Sequence, residues 1–288
     1  MKKSTKKIVA GLSAAVLVLG AVGIYNLMEN DPVASVVLLD VNPSIELYVD
    51  DDAEIVRAVA MNPEAEKVLK GMKLRDMDVD TAVNAIVGSL LKNGYVDELA
   101  NSILLSVEDE NTVRGAKLKE KLTEEINAIL SATSVNAAIL AQEVKSANAE
   151  EMADKYDVSK GKAALVQNIV EANDTYKADE LAKLSVNELN LIVSNPKNEV
   201  KDVVSTGKAS DNAYIGGDKA KEAAFEHAGV EQTSVRAVEV DFDYKYGKMV
   251  YEVDFESAEY DYDYSIDAKN GEVLYSHKEL DDDYVAPV

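Results

Sequence analysis

The sequence predicts an α+β chain: an N-terminal transmembrane helix, an α+β domain with a helical extension, and a C-terminal unit of one helix plus an antiparallel sheet. Three observations lead there. Through residues 33–145 the apolar positions switch between alternation and helical spacing. Residues 146–196 keep the helical spacing alone. Beyond residue 212, one short helical stretch precedes several strands of alternating apolar and acidic residues.

Taken in order, the first element is an anchor. Lys2, Lys3, Lys6 and Lys7 precede an uncharged run from Ile8 to Met28, the length of ~20 residues that a helix needs to cross a bilayer. The flanking lysines favour the cytoplasmic side, so residues 1–7 are the expected cytoplasmic tail and 8–28 a single membrane span. The bulk of the chain is then extracytoplasmic. Ala21-Val22-Gly23 offers a signal-peptide cleavage site, but the apolar run continues past it, longer than a signal core requires.

Residues 33–145 read as one α+β domain. Val33 to Val41 is nearly all apolar, as in a strand buried on both faces. Ile45, Leu47 and Val49 alternate with Glu46 and Tyr48. Asp50-Asp51-Asp52 makes a polar turn before a third strand, Ile55 to Ala60. Asp80 or Thr81 is the expected cap of a helix with the stripe Val83, Ile86, Val87, Leu90 and Leu91, ending near Asn93-Gly94. Ser102 to Val107 is a strand. Leu118, Leu122, Ile126 and Ile129 or Leu130 mark a second helix, and Ser134 to Val144 a further strand.

Residues 146–196 form the helical extension, with one stripe at Ala164, Leu165, Ile169 and Val170 and another at Leu181, Leu184, Leu189 and Ile192. Residues 197–212 are polar and read as a linker. In residues 213–282, a helix from Asp218 to Gly229 precedes strands in which Val238, Val240, Phe242 and Tyr244 share one face. Tyr251, Val253 and Phe255 follow, then Tyr260, Tyr262, Tyr264 and Ile266, and Asn270-Gly271 closes a hairpin. The tyrosine stripe is expected to pack on the helix. Asp241, Asp243, Glu252, Asp254, Asp261 and Asp263 are expected to form a solvated acidic face rather than a calcium site, because alternating carboxylates do not by themselves enclose an ion.

Composition narrows the function. The chain has 30 basic and 53 acidic residues and a formal net charge of −23, which repels nucleic acid. It contains no cysteine, so an exported chain holds together without disulfides. His227 and His277 stand alone, too few for a zinc site. No His-Glu-x-x-His pattern, P-loop or dinucleotide fingerprint is present. The expectation is a non-enzyme with no cofactor and no metal.

One segment carries chemistry of its own. Asp40-Val41-Asn42-Pro43-Ser44 lies between two strand-forming runs. An Asn before Pro cannot deamidate in the ordinary way, since the proline nitrogen has no hydrogen and cannot attack the side chain. The reverse attack stays open: the Asn42 side-chain nitrogen can attack its own carbonyl, close a succinimide and expel Pro43. Ser44, Asp40 and Glu46 are the groups at hand to polarise the carbonyl or manage protons. Against this stands an ordinary turn, since Asn and Pro are common turn formers and Pro63 and Pro196 also follow Asn.

The stretch from Ser35 to Met61, around Asp-Val-Asn-Pro-Ser-Ile-Glu-Leu, resembles the extracytoplasmic domain of RsgI-like anti-sigma factors, bacterial single-pass membrane proteins. The resemblance runs to about residue 200, through Asn101-Ser-Ile-Leu-Leu-Ser-Val-Glu and Lys155-Tyr-Asp-Val-Ser-Lys-Gly-Lys. It implies autoproteolysis at Asn42–Pro43. Residues 215–280 resemble a PepSY domain, through Asp218-Lys-Ala-Lys-Glu-Ala-Ala and Asp267-Ala-Lys-Asn-Gly-Glu-Val. That resemblance implies an exported module able to restrain an extracellular peptidase or bind another protein partner outside the cytoplasm. Family members place a sigma-binding domain before the membrane helix, where this sequence has seven residues, so sigma binding is not expected of it.

Overall fold

The computed structural model describes residues 32–133, 137–145 and 148–281. The expected tail and membrane span lie outside these residues. Among the described residues no helix is long and apolar enough to cross a membrane.

Strands β1 (Ser35–Asp40), β2 (Ser44–Val49) and β3 (Ile55–Ala60) form an antiparallel meander. Helix α1 (Pro63–Leu69) follows, then α2 (Val79–Lys92), β4 (Ser102–Asp109), α3 (Thr112–Ser131) and β5 (Ala138–Glu143). The sheet order is β3-β2-β1-β4-β5-β6, with β6 at Val203–Thr206. Strand β1 is therefore interior. It pairs antiparallel with β2 from Ser35↔Val49 to Asp40↔Ser44, and with β4 from Ser35↔Asp109 to Asp40↔Leu104. Strand β4 runs parallel to β5.

Alternation along these strands builds two cores. Val37, Leu39, Ile45, Leu47 and Leu105 face α1, α2 and α3, packing on Val83, Ile86, Leu90, Leu122 and Ile126. Leu38, Leu104, Leu140 and Asp40 serve the other face, which the extension covers. That extension comprises α4 (Asn148–Tyr156), α5 (Lys160–Ala172), the short α6 (Ala178–Leu181) and α7 (Val186–Val193).

Three expectations for the first 212 residues change. Helix α1 was not expected; Asn62 caps it and Pro63 opens it, a start that suits proline because its missing N–H is one the first turn leaves unpaired. Helix α2 starts at Val79, ahead of the expected Asp80 or Thr81 cap. The buried Val79 and Ala82 extend the core-facing stripe by a turn, and Asp80 instead pairs with Lys121. The polar segment 197–212 is built into the fold. Its β6 pairs with β5, and Ser210 donates its amide to Asn101 Oδ1 at 2.7 Å. Asn187 and Asn190 complete this buried layer, donating to the Ser210 carbonyl and the Ser102 hydroxyl. Covering the β5 edge and pairing each buried amide explains why a polar sequence is ordered here.

The C-terminal unit packs α8 (Gly217–Ala228) on a sheet ordered β10-β9-β8-β7: β7 (Arg236–Lys245), β8 (Lys248–Glu256), β9 (Tyr260–Asp267), β10 (Val273–Leu280). Tyr262 and Tyr264 of the tyrosine stripe are buried as expected and Tyr260 is half-buried, with Phe225 of α8 edge-on to Phe255 at 4.8 Å. Val238 leaves the expected apolar face because the register shifts between Arg236 and Glu239 at a left-handed Ala237.

The acidic face is not wholly solvated. Asp241 opposes Glu252, and Asp254 opposes Asp263, an unfavourable arrangement. Lys197 lies 2.8 Å from Asp241 and 3.3 Å from Asp254, and Lys245 pairs with Glu252. Asp243 is buried beneath the Tyr176 hydroxyl. Burial first, and the Asp243 carboxylate second, keep Tyr176 protonated far above its usual range. Asn195 adds a bond to the Phe242 carbonyl at 3.2 Å. The β7 strand is thus docked on the extension. Tyr176→Phe removes a bond to a buried charge, and unfolding in urea should show a loss of about 2 kcal/mol.

Candidate functional site: the Asn42–Pro43 turn

Residues 41–43 connect β1 to β2, closed by the Asp40↔Ser44 pair. The Val41 amide donates to the Pro43 carbonyl at 3.0 Å. Asn42 is exposed and Pro43 buried. No residue of the turn has positive φ, and the described residues contain no cis peptide. The turn is held by hydrogen bonds rather than by a left-handed residue.

The other two Asn-Pro pairs are different objects. Asn62-Pro63 and Asn195-Pro196 are helix starts, each Asn acting as N-cap and each Pro entering the first turn. Their dipeptides are explained by capping. Among the three, Asn42-Pro43 alone joins two paired strands.

Asn62, from the start of α1, touches the turn directly. Its Nδ2 donates to the Asn42 carbonyl oxygen at 2.8 Å. Its Oδ1 accepts from the Ala65 amide at 2.9 Å and, more weakly, from the Ser44 amide at 3.4 Å. The Met61 amide donates to the Ser44 carbonyl at 2.9 Å, holding the two segments together. Sequence reading missed Asn62. The available signal was an Asn-Pro preceding a Glu-Ala-Glu first turn, the pattern of a capped helix.

Of the three assisting groups expected, the structure brings Asp40 and Ser44 together, while Glu46, near enough to act on the Asp40 charge, is hydrogen-bonded to Tyr48. Asp40 is 3% exposed. Burial pushes its carboxyl up to about 6, with Glu46 adding to the rise and the Ser44 and Ser159 hydroxyls and Lys162 opposing it. Burial likewise pulls Lys162 below its usual value. Asp40 Oδ2 has no hydrogen-bond partner among the described residues. Glu46 accepts from the Tyr48 hydroxyl at 2.8 Å. Helix α5 comes close enough that a Cβ on Gly161 would lie 2.7 Å from Asp40 Oδ2 and 2.9 Å from Ser106 Oγ. The glycine is required for this approach.

At the far end of β1, Ser35 donates to Asp109 at 2.6 Å and Arg114 reaches both Asp109 and the Ala34 carbonyl. Although burial opposes it, Arg114, Ser35 and the Asn111 amide hold the Asp109 carboxyl below its usual range. Elsewhere, Glu256, Asp261 and Asp281 bring carboxylate oxygens within 4.8 Å of one another. Arg236 already bridges Glu256 and Asp281, so the cluster is a surface ion-pair group. His227 meets the Tyr264 hydroxyl at 3.1 Å, a packing contact.

Residues 34–168 match the anti-sigma factor RsgI-like central domain, and residues 214–277 match the peptidase propeptide and YPEB domain. The chain carries an RsgI-like central domain followed by a PepSY domain. Its relatives include the anti-sigma-I factors RsgI7, RsgI6 and RsgI3 of Acetivibrio thermocellus. RsgI7 is 24% identical over 63% of this chain and 33% of its own length. RsgI6 is 29% identical over 59% of this chain and 25% of its own. RsgI3 is 24% identical over 65% and 31%. The chain thus spans a quarter to a third of these proteins. A solved putative lipoprotein from Clostridium difficile 630 aligns over 28% of this chain and 59% of its own, at 20% identity and a TM-score of 0.20. The RsgI-like domain holds the Asn42–Pro43 turn. The PepSY domain contributes the α8–β10 unit docked on the extension.

Proposed function

We propose that this protein is a membrane-anchored, extracytoplasmic regulator of the anti-sigma-I type that cuts its own chain between Asn42 and Pro43. The observation that carries this reading is the position of β1. The bond ends an interior strand that is hydrogen-bonded on both sides and buried at Val37, Leu38 and Leu39. Cleavage there leaves the N-terminal piece bound to the domain by noncovalent contacts alone. A cut at this point converts a covalent link to the membrane anchor into one that separates under load or unfolding. The PepSY domain, docked through Tyr176, Asn195 and Lys197, forms part of the outer piece. Its partners are proteins outside the cytoplasm, and the acidic surface disfavours nucleic acid. The event is a single turnover and needs no cofactor.

The test is mass spectrometry of the purified full chain after denaturation. A new N-terminus at Pro43, absent in Asn42→Ala, is the expected result. An intact wild-type chain after prolonged incubation of folded protein would overturn it.

A further inference from the structure

We infer that Asn62 is the catalytic electrophile-stabilising residue of the cleavage: its side-chain amide polarises the Asn42 carbonyl and binds the oxyanion that forms there. The inference rests on the self-cleavage reading and adds to it a residue from a separate element, 20 positions along the chain.

The orientation of the Asn62 amide follows from its partners. Oδ1 faces two backbone N–H donors, Ala65 and Ser44. Nδ2 faces a carbonyl oxygen, Asn42. Reversing the amide would set donor against donor and acceptor against acceptor, so the network fixes the donor on the reacting carbonyl. Helix α1 fixes the side chain in turn, because the same Oδ1 caps its N-terminus. The donor is thus preorganised, the arrangement that stabilises developing charge at least reorganisation cost.

The step balances. Asn42 Nδ2 attacks the Asn42 carbonyl carbon, forming the new C–N bond, and charge builds on the carbonyl oxygen against Asn62 Nδ2. The tetrahedral centre collapses, the bond to the Pro43 nitrogen breaks, and a proton from Asn42 Nδ2 ends on that nitrogen. Pro43 leaves as a free secondary amine. The N-terminal piece ends in a cyclic imide, one water lighter than the hydrolysed form, until water opens it. The exposure of Asn42 leaves its side chain free to turn inward, while burial of Pro43 and the Asn62 contact hold the electrophile still.

Asn62→Asp separates catalysis from capping. Aspartate retains the Oδ1 acceptor for the Ala65 amide and caps helices as well as Asn. It loses the donor to the Asn42 carbonyl. The rate of Pro43 N-terminus formation in the full chain should fall about 100-fold or more at neutral pH, the effect of removing one oxyanion donor. The thermal midpoint, read in the uncleavable Asn42→Ala background, should fall by no more than the loss of this one exposed hydrogen bond and the acceptor-to-acceptor contact that replaces it, since the helix cap is kept. Acidification supplies a readout that a structural role would not shift. Once protonated, the carboxyl introduced by Asn62→Asp regains an O–H donor, so the ratio of wild-type to variant rates should narrow toward pH 4. Asn62→Ser, another good cap with a shorter reach, should be slow at every pH, and it decides the matter if the aspartate variant does not fold. Wild-type rates in both variants, with Asn42→Ala inert, would overturn the role of Asn62 and leave self-cleavage standing. Failure of wild type to cleave would overturn both.

Discussion

Asp40→Asn should stabilise the folded chain at neutral pH by about 3 kcal/mol and flatten its pH dependence. The Asp40 carboxyl sits up to about 6 in the folded domain, against an ordinary 3.8. A carboxyl raised on folding binds more protons in the folded chain than in the unfolded one. Its folded state is therefore favoured when the group is neutral, below the ordinary value. The penalty develops as pH rises from about 4 to 6 and is complete above that range, about 1.4 kcal/mol for each unit of displacement. The groups facing it set the sign: Ser44, Ser159 and Lys162 favour charge, Glu46 disfavours it, and burial outweighs them. Asp109, held low by Arg114, works in the opposite direction, losing its contribution as pH falls. Comparing variant with parent cancels that background. Urea unfolding in the Asn42→Ala background at pH 4 and pH 7.5 measures the effect. A gap between the two proteins that is the same at both pH values would refute it. A residue that costs stability and lies beside the turn is what a functional constraint produces. On the proposed self-cleavage, Asp40→Asn should also slow the cut, since the carboxyl opposite Ser44 is lost.

Leu39→Ala should cost about 2–5 kcal/mol, the usual range for a fully buried leucine, and the loss should appear in different places before and after cleavage. Leu39 is 1% exposed and packs against the core that α1, α2 and α3 close. In the uncleavable Asn42→Ala chain the substitution lowers the unfolding midpoint. In a cleaved chain the same contact holds the N-terminal piece in place, so the deficit becomes faster release of that piece. Size exclusion of cleaved protein under native conditions should show co-elution of both pieces for the parent and dissociation for Leu39→Ala. Equal retention in both would mean that hydrogen bonds of β1 to β2 and β4 suffice without the side chain. The Ser35, Asp109 and Arg114 contacts at the other end of β1 add to the hold, where the chain enters from its N-terminal segment.

Much of this protein was determined by sequence alone. Alternation placed β2, β8 and β9, the helical stripe placed α3 and α5, and Asn270-Gly271 placed the last hairpin, because period and turn chemistry are local properties of the chain. The Asp-Val-Asn-Pro-Ser-Ile-Glu-Leu segment marked the turn at Asn42 for the same reason. The tertiary structure decided what depends on partners distant in sequence. It ordered the polar 197–212 segment by giving β5 an edge partner and each buried amide a mate. It moved Asp243 from a solvated face to a buried contact with Tyr176. It separated three identical dipeptides, two as helix caps and one as the link between paired strands. At that link it paired Asp40 with Ser44, sent Glu46 to Tyr48, and brought Asn62 onto the Asn42 carbonyl. Nothing local to residue 62 distinguishes a cap from a cap that also holds the Asn42 carbonyl. Only the pairing of β2 with β3, which returns the chain to the turn, creates that difference.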